Sequence, residues 1–323
     1  MTQDNPLKDF IRREVMTRRS LSPVRDALWL SQAKRDRAAV LSIGKKLNLQ
    51  PLLINDFSMS DAKPHETLFI LGSGYSINEL KVAHFEEIQH HISVGINVWI
   101  AHDFIPDVYS LEPRTLPMTP LAYEQNRYRA EKLNRVSVIK ASPKFLVLRP
   151  PSPSVTEQFV AIPEALRDRA FLYGRVNLPQ VKEEIANYEL KRFLNAYLRR
   201  QSNLAVFPDN GASVIRLIFL GLKLGFQRVV LVGVDLNQDP YFWYHPEWLD
   251  KRPELAALFP RPIGVPHDTT QKNQELGNLR PYDTSKVIQS ISEAMNSSHQ
   301  ARLFVGSSSS ALAAHLPLYP WRG

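Results

Sequence analysis

Hydrophobic positions in this chain fall into short runs separated by helix-spaced stretches. Thr67-Leu68-Phe69-Ile70-Leu71 is an apolar run that ends at Gly72-Ser73-Gly74, the pattern of a buried strand closing on a glycine turn. Ser76, with Glu79 three positions on, has capping-box spacing and predicts a helix start. Ser93–Asn97, Asp107–Leu111 and Arg135–Ile139 read as further short strands. Ala212–Leu224 reads as an apolar helix with Gly225 at its C-cap. Arg228–Asp235 follows as a buried strand with an acid at its carboxyl end. Near the end of the sequence, Arg302–Val305 leads through Ser307–Ser310 into a short helix, Ala311–His315. Strands alternating with helices predict an α/β fold, a mostly parallel sheet with helices on both faces. Ligands of such sheets lie beyond the carboxyl ends of the strands.

Two parts of the chain depart from this alternation. Residues 1–46 carry eleven Lys and Arg against five acids, and Phe10, Ile11, Val15, Leu28, Leu30, Val40 and Leu41 recur at loosely helical spacing. This predicts a basic helical extension over 1–62, ahead of a main domain at 63–323. The extension reads either as a helix with a solvated face or as an amphipathic element on an anionic membrane surface. Pro113–Pro120 and Asp239–Pro281 read as mobile loops over the sheet edge, the second forming a lid. The prolines at 143, 150, 151 and 153 mark a hinge or a stiff connector. There is no internal repeat.

Composition narrows the class. The 323 residues are 44% hydrophobic and 10% aromatic, enough to bury a core. The absence of cysteine excludes a disulfide scaffold, thiol catalysis, Cys-ligated zinc and iron–sulfur clusters. No apolar run approaches the roughly 18 residues of a membrane span, and the first residues lack a signal peptide's apolar stretch. The expected location is cytoplasmic, peripheral at the inner face of the membrane if the basic segment binds there. A net charge of +8 favours anionic partners: nucleotides, phospholipid surfaces or nucleic acid.

Several residues are candidates for chemistry. Gly72, Ser73 and Gly74, with Ser76, would offer backbone N–H groups at a helix N-terminus, where phosphate binds; the same glycines fit a plain tight turn. Asp235 ends the strongest strand, as a ligand-facing group or as a cap on the next loop. No Asp-x-Asp pair and no His/Asp ligand cluster occurs, which argues against an obligatory metal. In Tyr241-Phe242-Trp243-Tyr244-His245, the phenols can donate to a phosphate and the rings can stack on a sugar or base, or the cluster can pin the loop down. His267, farther along the same loop, can take a proton from an acceptor hydroxyl; His245 is the other candidate. There is no Gly-x-Ser-x-Gly elbow for hydrolase chemistry.

The order of these units resembles bacterial sialyltransferases of glycosyltransferase family forty-two and the related domain of motility-associated flagellin glycosyltransferases. Gly72-Ser73-Gly74-Tyr75-Ser76 resembles the family's Gly-x-Gly-Pro-Ser turn, and Asn97 its donor-binding asparagine. Gly211-Ala212-Ser213 with the following helix and the strand ending at Asp235 is the best match. Tyr241 and Tyr244 align with its paired tyrosines, His267 with its general base, and Ser307–Ser310 with a small-residue turn. The resemblance covers roughly residues 65–318. Tyr75, Ser73, Glu112 and Asn210 depart from it, standing near an expected proline, asparagine, asparagine and arginine.

The resemblance implies a Rossmann-like domain, a GT-A-like variant with a mobile lid. It implies an inverting, metal-independent transferase moving a nonulosonic acid, sialic acid or a relative, from a CMP-activated donor. The acceptor would be a hydroxyl of a bacterial surface glycan, lipopolysaccharide or capsule, or of a glycoprotein. No cofactor is implied beyond the CMP-sugar substrate. Gly72, Ser73, Gly74, Ser76, Asn97, Asn210, Gly211, Ser213 and Asp235 would bind the donor, and His267, Tyr241 and Tyr244 would carry the chemistry. Self-association stays open. Two alternatives are a pterin pyrophosphokinase-like ATP- and magnesium-dependent transferase and a non-catalytic nucleic-acid binder. Against the latter, no nucleic-acid motif is present and the charge is concentrated in one segment.

Overall fold

The computed structural model describes residues 19–59, 63, 66–112, 119–137, 143–148, 164–178, 183–198, 205–261, 264, 283–298 and 301–322. Its elements, in chain order, are α1 (Ser22–Leu47), β1 (Gln50–Pro51), β2 (Thr67–Leu71), α2 (Val82–His90), β3 (Ile92–Ile96), β4 (Val108–Leu111), α3 (Pro120–Ser137) and β5 (Lys144–Leu148). There follow β6 (Ala170–Asn177), α4 (Glu183–Leu198), β7 (Val206–Asp209), α5 (Ser213–Lys223), β8 (Arg228–Val232), α6 (Pro246–Lys251), α7 (Glu254–Leu258), α8 (Thr284–Ser298) and β9 (Arg302–Val305). The nine strands form one sheet in the order β1-β6-β5-β4-β3-β2-β8-β9, with β7 also paired to β6. Every pairing is parallel. This is the α/β, Rossmann-like architecture expected from the alternating pattern.

The strands are apolar on both sides because helices cover both faces. One face buries Leu68, Ile70 and Val94 against Leu194 of α4, Ile215 and Phe219 of α5 and Ile288 of α8. The other buries Phe69, Leu71 and Val230 with Ile88 of α2, Tyr128 and Val136 of α3, and Trp243 and Leu255. Burying each such side chain contributes about 1.5–3 kcal/mol. α5 ends in a Schellman arrangement: Phe226 N–H donates to Gly221 O at 3.1 Å and Gly225 N–H to Leu222 O at 3.2 Å. Gly225, at φ +83, supplies the left-handed residue this needs.

α1 is docked rather than loose. Trp29 meets Phe193 of α4 edge-on at 4.9 Å, while Val40 and Ile43 are buried in the core of the opposite face. The helix thus crosses the sheet's β6 edge. Asp36 accepts from Arg175 N–H at 2.7 Å, and a Cβ on Gly174 would collide with that carboxylate. The fully buried Glu189 accepts from Ser22 at 2.6 Å and from Arg25 at 2.6 and 3.1 Å. The slot beside β6 is filled end to end by two segments. β1 pairs with Phe171 and Leu172, and β7 with Gly174–Asn177. Ala205 N–H donates to Leu52 O at the joint, 3.0 Å.

One expectation is corrected. Arg135 and Val136 lie in α3, not in a strand: Tyr128, Leu133 and Val136 are buried on one helical face. The strand in this part of the chain is β5, which follows Pro143 and whose Phe145–Leu148 are apolar and buried. The 239–261 part of the expected lid folds into α6, α7 and a 3-10 turn, Phe242–Tyr244, with Phe242, Trp243 and Leu255 at zero exposure; its aromatics anchor it in the core.

Candidate functional site

From β2 the chain passes through α2 to β3 on one side, while β8, on the other side of β2, is reached from β7 through α5. The strand order therefore reverses at β2 and β8, and a crevice at their carboxyl ends follows. Here the two turns lie side by side. Gly72 N–H donates to Val232 O and Gly74 N–H to Gly233 O, both at 2.7 Å. A Cβ on Gly72 would collide with the Gly233 carbonyl, and one on Gly74 with the Asp235 carboxylate. Gly233 itself has φ +64. The glycines are dictated by this backbone approach, and the amides of Gly72 and Gly74 are not free for a phosphate as the sequence suggested. That of Ser73 has no partner among the described residues.

Ser76 is not an N-cap. It lies inside a 3-10 turn, Tyr75–Glu79; its N–H donates to Asp235 Oδ2 at 2.9 Å and its hydroxyl to Oδ1 at 2.5 Å. Glu79 instead accepts from Ser307. Asp235 is buried. Burial, with Glu79 and Asp239 adding to it, raises its pKa above the ordinary value against the two Ser76 bonds. Ser310 Oγ donates to Val234 O at 2.9 Å and Ala311 N–H to Asp235 O at 2.8 Å. Three strand-end loops, after β2, β8 and β9, are thereby tied into one unit.

The aromatic segment joins the same unit. Tyr241 forms an antiparallel bridge with Gly74, Phe242 N–H donates to Ser73 O at 3.0 Å, and Asn78 Nδ2 donates to Phe242 O at 3.1 Å. The Arg261 guanidinium lies 4.9 Å from the Tyr241 ring centroid. Arg261 N–H donates to the Tyr244 hydroxyl oxygen at 2.9 Å, which leaves that hydroxyl's proton to donate. The His245 ring is 6.0 Å from that of Tyr75, and its Nδ1 is buried without a hydrogen-bond partner among the described residues. Next to this segment His102 stacks on Trp99 at 4.3 Å and accepts from Phe104 N–H through Nδ1 at 3.0 Å. Burial lowers its pKa to about 4.

Asn210, Gly211 and Ser213 belong to a second cluster, at the carboxyl ends of β4, β6 and β7. Ser213 Oγ donates to Glu112, as does Arg216. Arg216 also donates to Asp209 Oδ1 at 2.5 Å, and Arg175 to Asp209 Oδ2 at 3.0 Å. Gly211, at φ +95, donates its N–H to Asp209 Oδ1 at 2.9 Å. Asn210 Nδ2 reaches Thr284 Oγ1 at 3.4 Å. Burial lowers the Arg216 pKa to about 9, so it stays charged at neutral pH. Arg216, Asp209 and Arg175 were not among the residues singled out from sequence, although an arginine inside the apolar run of α5 was a visible signal. Asn97 opens a 3-10 turn at the end of β3. His267 lies outside the described residues. Among them no group of three His, Cys, Asp or Glu is placed to hold a metal ion, and no helix is long and apolar enough to cross a membrane.

No protein-family model matches the chain, and no curated protein does. Among solved structures, one of the sialyltransferase CstII from Campylobacter jejuni, in complex with the substrate analogue CMP-3FNeuAc, is similar over 79% of this chain and 86% of that one. The identity is 14% and the TM-score 0.39. At that distance the likeness carries no functional argument, and the site is read from its own geometry.

Proposed function

We propose that the chain is an inverting, metal-independent glycosyltransferase. It would move a nonulosonic acid, sialic acid or a relative, from a CMP-sugar to a hydroxyl of a bacterial surface glycan or glycoprotein. The observation that carries this reading is the meeting of the glycine turn, Asp235 and the tyrosine pair at the strand reversal. In this reading the Ser73 amide, with Gly72, Gly74 and Ser76 framing it, faces the nucleotide phosphate. Asp235 orders the turn and serves the ribose or cytosine side, while Asn97, Asn210, Gly211 and Ser213 take the rest of the donor.

The acceptor oxygen attacks the anomeric carbon as the bond to the phosphate oxygen breaks. CMP leaves with that electron pair, and the acceptor proton passes to His267, a contribution of about 10²–10⁴-fold. The Tyr241 and Tyr244 hydroxyls donate to the departing phosphate, stabilising charge where it develops. A lid over the site would exclude the water that would hydrolyse the donor.

The outward face of α1 supports a peripheral position on an anionic membrane. Val24, Leu28 and Leu41 are exposed there beside Lys34, Arg35, Arg37, Lys45 and Lys46. The helix's two acids are engaged elsewhere, Asp26 with Arg192 and Asp36 with Arg175. Apolar area combined with unopposed basic charge is what interfacial helices use.

The test is calorimetry with CMP, followed by transfer assays with CMP-sialic acid and related donors, with and without EDTA. CMP binding and EDTA-resistant transfer are expected. No cytidine nucleotide binding would sink the reading.

A further inference from the structure

The second cluster holds charge that the transfer scheme does not use. Arg216 is fully buried, with zero exposure, and desolvating a guanidinium costs several kcal/mol in effective terms. It is matched by two carboxylates, Asp209 and Glu112, and the second cation, Arg175, shares Asp209. Two cations and two acids balance. The acids are not equivalent, however. Asp209 is 1% exposed and both its oxygens are bonded. Glu112 is 30% exposed, and both Arg216 and Ser213 converge on its Oε1. Its Oε2 has no partner among the described residues.

Glu112 therefore stands just past the carboxyl end of β4, fixed at one oxygen and offering the other as a charged acceptor on the edge where ligands of such sheets bind. Asn210, the residue after Asp209, adds a buried acceptor: its Oδ1 has no donor among the described residues. Unmatched acceptors on one edge call for a ligand rich in hydrogen-bond donors. A ring carrying several hydroxyls fits. An anionic group does not, because it would meet the Glu112 charge.

We propose that Glu112 recognises a hydroxyl-bearing sugar ring at this edge, and that Arg216 is its positioning residue, fixing the carboxylate. The proposal rests on the transferase reading above. The ring belongs to the donor or to the acceptor, and the two arms of the experiment separate these sources.

Calorimetry and initial rates on the full chain would compare wild type with Glu112→Gln, Glu112→Ala, Arg216→Lys and the Glu112→Ala/Arg216→Lys pair. CMP affinity is expected to be unchanged in Glu112→Gln. With a donor ring, CMP-sugar affinity falls about tenfold; with an acceptor ring, acceptor KM rises about tenfold while kcat holds. Arg216→Lys keeps the charge but loses the fork, so it gives a similar loss alone and none further in the Glu112→Ala background. If CMP binds but Glu112→Gln leaves both quantities at wild type, the proposal is overturned. An Arg216→Lys loss that persists in full without Glu112 overturns the positioning role. Failure of the wild type to bind CMP overturns the transferase reading, a distinct outcome that removes this proposal with it.

Discussion

Asp235 and Ser76, 159 positions apart in sequence, are joined twice, amide to Oδ2 and hydroxyl to Oδ1. This pair welds the tip of β2 to the tip of β8. Removing the acceptors in Asp235→Ala leaves two donors unmatched in a buried place, at about 1–3 kcal/mol, and chemical denaturation should show a loss of that order. Asp235→Asn keeps the shape and should cost less. Because the carboxyl pKa is raised in the fold, its stabilising share is complete below the ordinary aspartate range and declines as pH rises through the folded value. The Asn variant should lack that decline, which denaturation midpoints across pH would read out.

His102 gives a dependence of the opposite sign. Its pKa is lowered by burial to about 4, so the neutral ring favours the fold. The contribution is full above the ordinary value of 6.5 and is lost as pH falls toward 4, on the order of 3 kcal/mol at most. His102→Gln, which keeps an acceptor for Phe104 N–H, should flatten the acid limb of a stability–pH curve. The loss in wild type should appear first near Trp248 and Phe242, whose rings lie 5.1 and 5.3 Å from the imidazole, as tryptophan fluorescence can follow.

The α1 anchor also has an acid limit. Burial alone would raise the Glu189 carboxyl, but donors from Arg25, Arg192 and Ser22 together hold it below its ordinary value. Its contribution is complete above the usual glutamate range and is lost as pH falls through the lower folded value. Glu189→Ala leaves Arg25, a buried cation, with its carboxylate gone; a loss of about 3–5 kcal/mol is expected, with hydrogen exchange rising along Ser22–Leu47.

What could be read from the sequence was local. The β2 and β8 tips were legible because an apolar run stops at glycines, and Arg302–Val305 because small residues follow it. The Arg135–Ile139 stretch, of which Val138 and Ile139 lie outside the described residues, misled at Arg135–Ser137 because its β-branched residues suit a strand, whereas the helical face of α3 shows only when Tyr128 and Leu133 are counted with Val136. β7 was hidden by Pro208, which a strand tolerates only where no ladder donor is needed. The edge slot shared by β1 and β7 could not be read at all, since it depends on segments more than 150 residues apart. Within the site, the structure bridges Tyr241 to Gly74 of the glycine turn. Two of the amides expected to be free, those of Gly72 and Gly74, proved to be the sheet's own fasteners, because tight turns and phosphate cradles use the same residues.

The glycine turn also supplies the sharpest separation of structure from chemistry. Gly72→Ala must push a methyl into the Gly233 carbonyl, which is backbone and cannot rotate away. It should cost a few kcal/mol, as overpacking does, and lose cytidine nucleotide binding along with stability. Tyr244→Phe is the contrasting change. It removes one hydroxyl, whose oxygen receives only the Arg261 amide among the described residues, so thermal stability should move by no more than about 1 kcal/mol. If that hydroxyl donates to the leaving phosphate, kcat should fall by about 10²-fold with CMP affinity little changed. Equal rates for Tyr244→Phe and wild type would remove the phenol from the transfer step while leaving the nucleotide site standing.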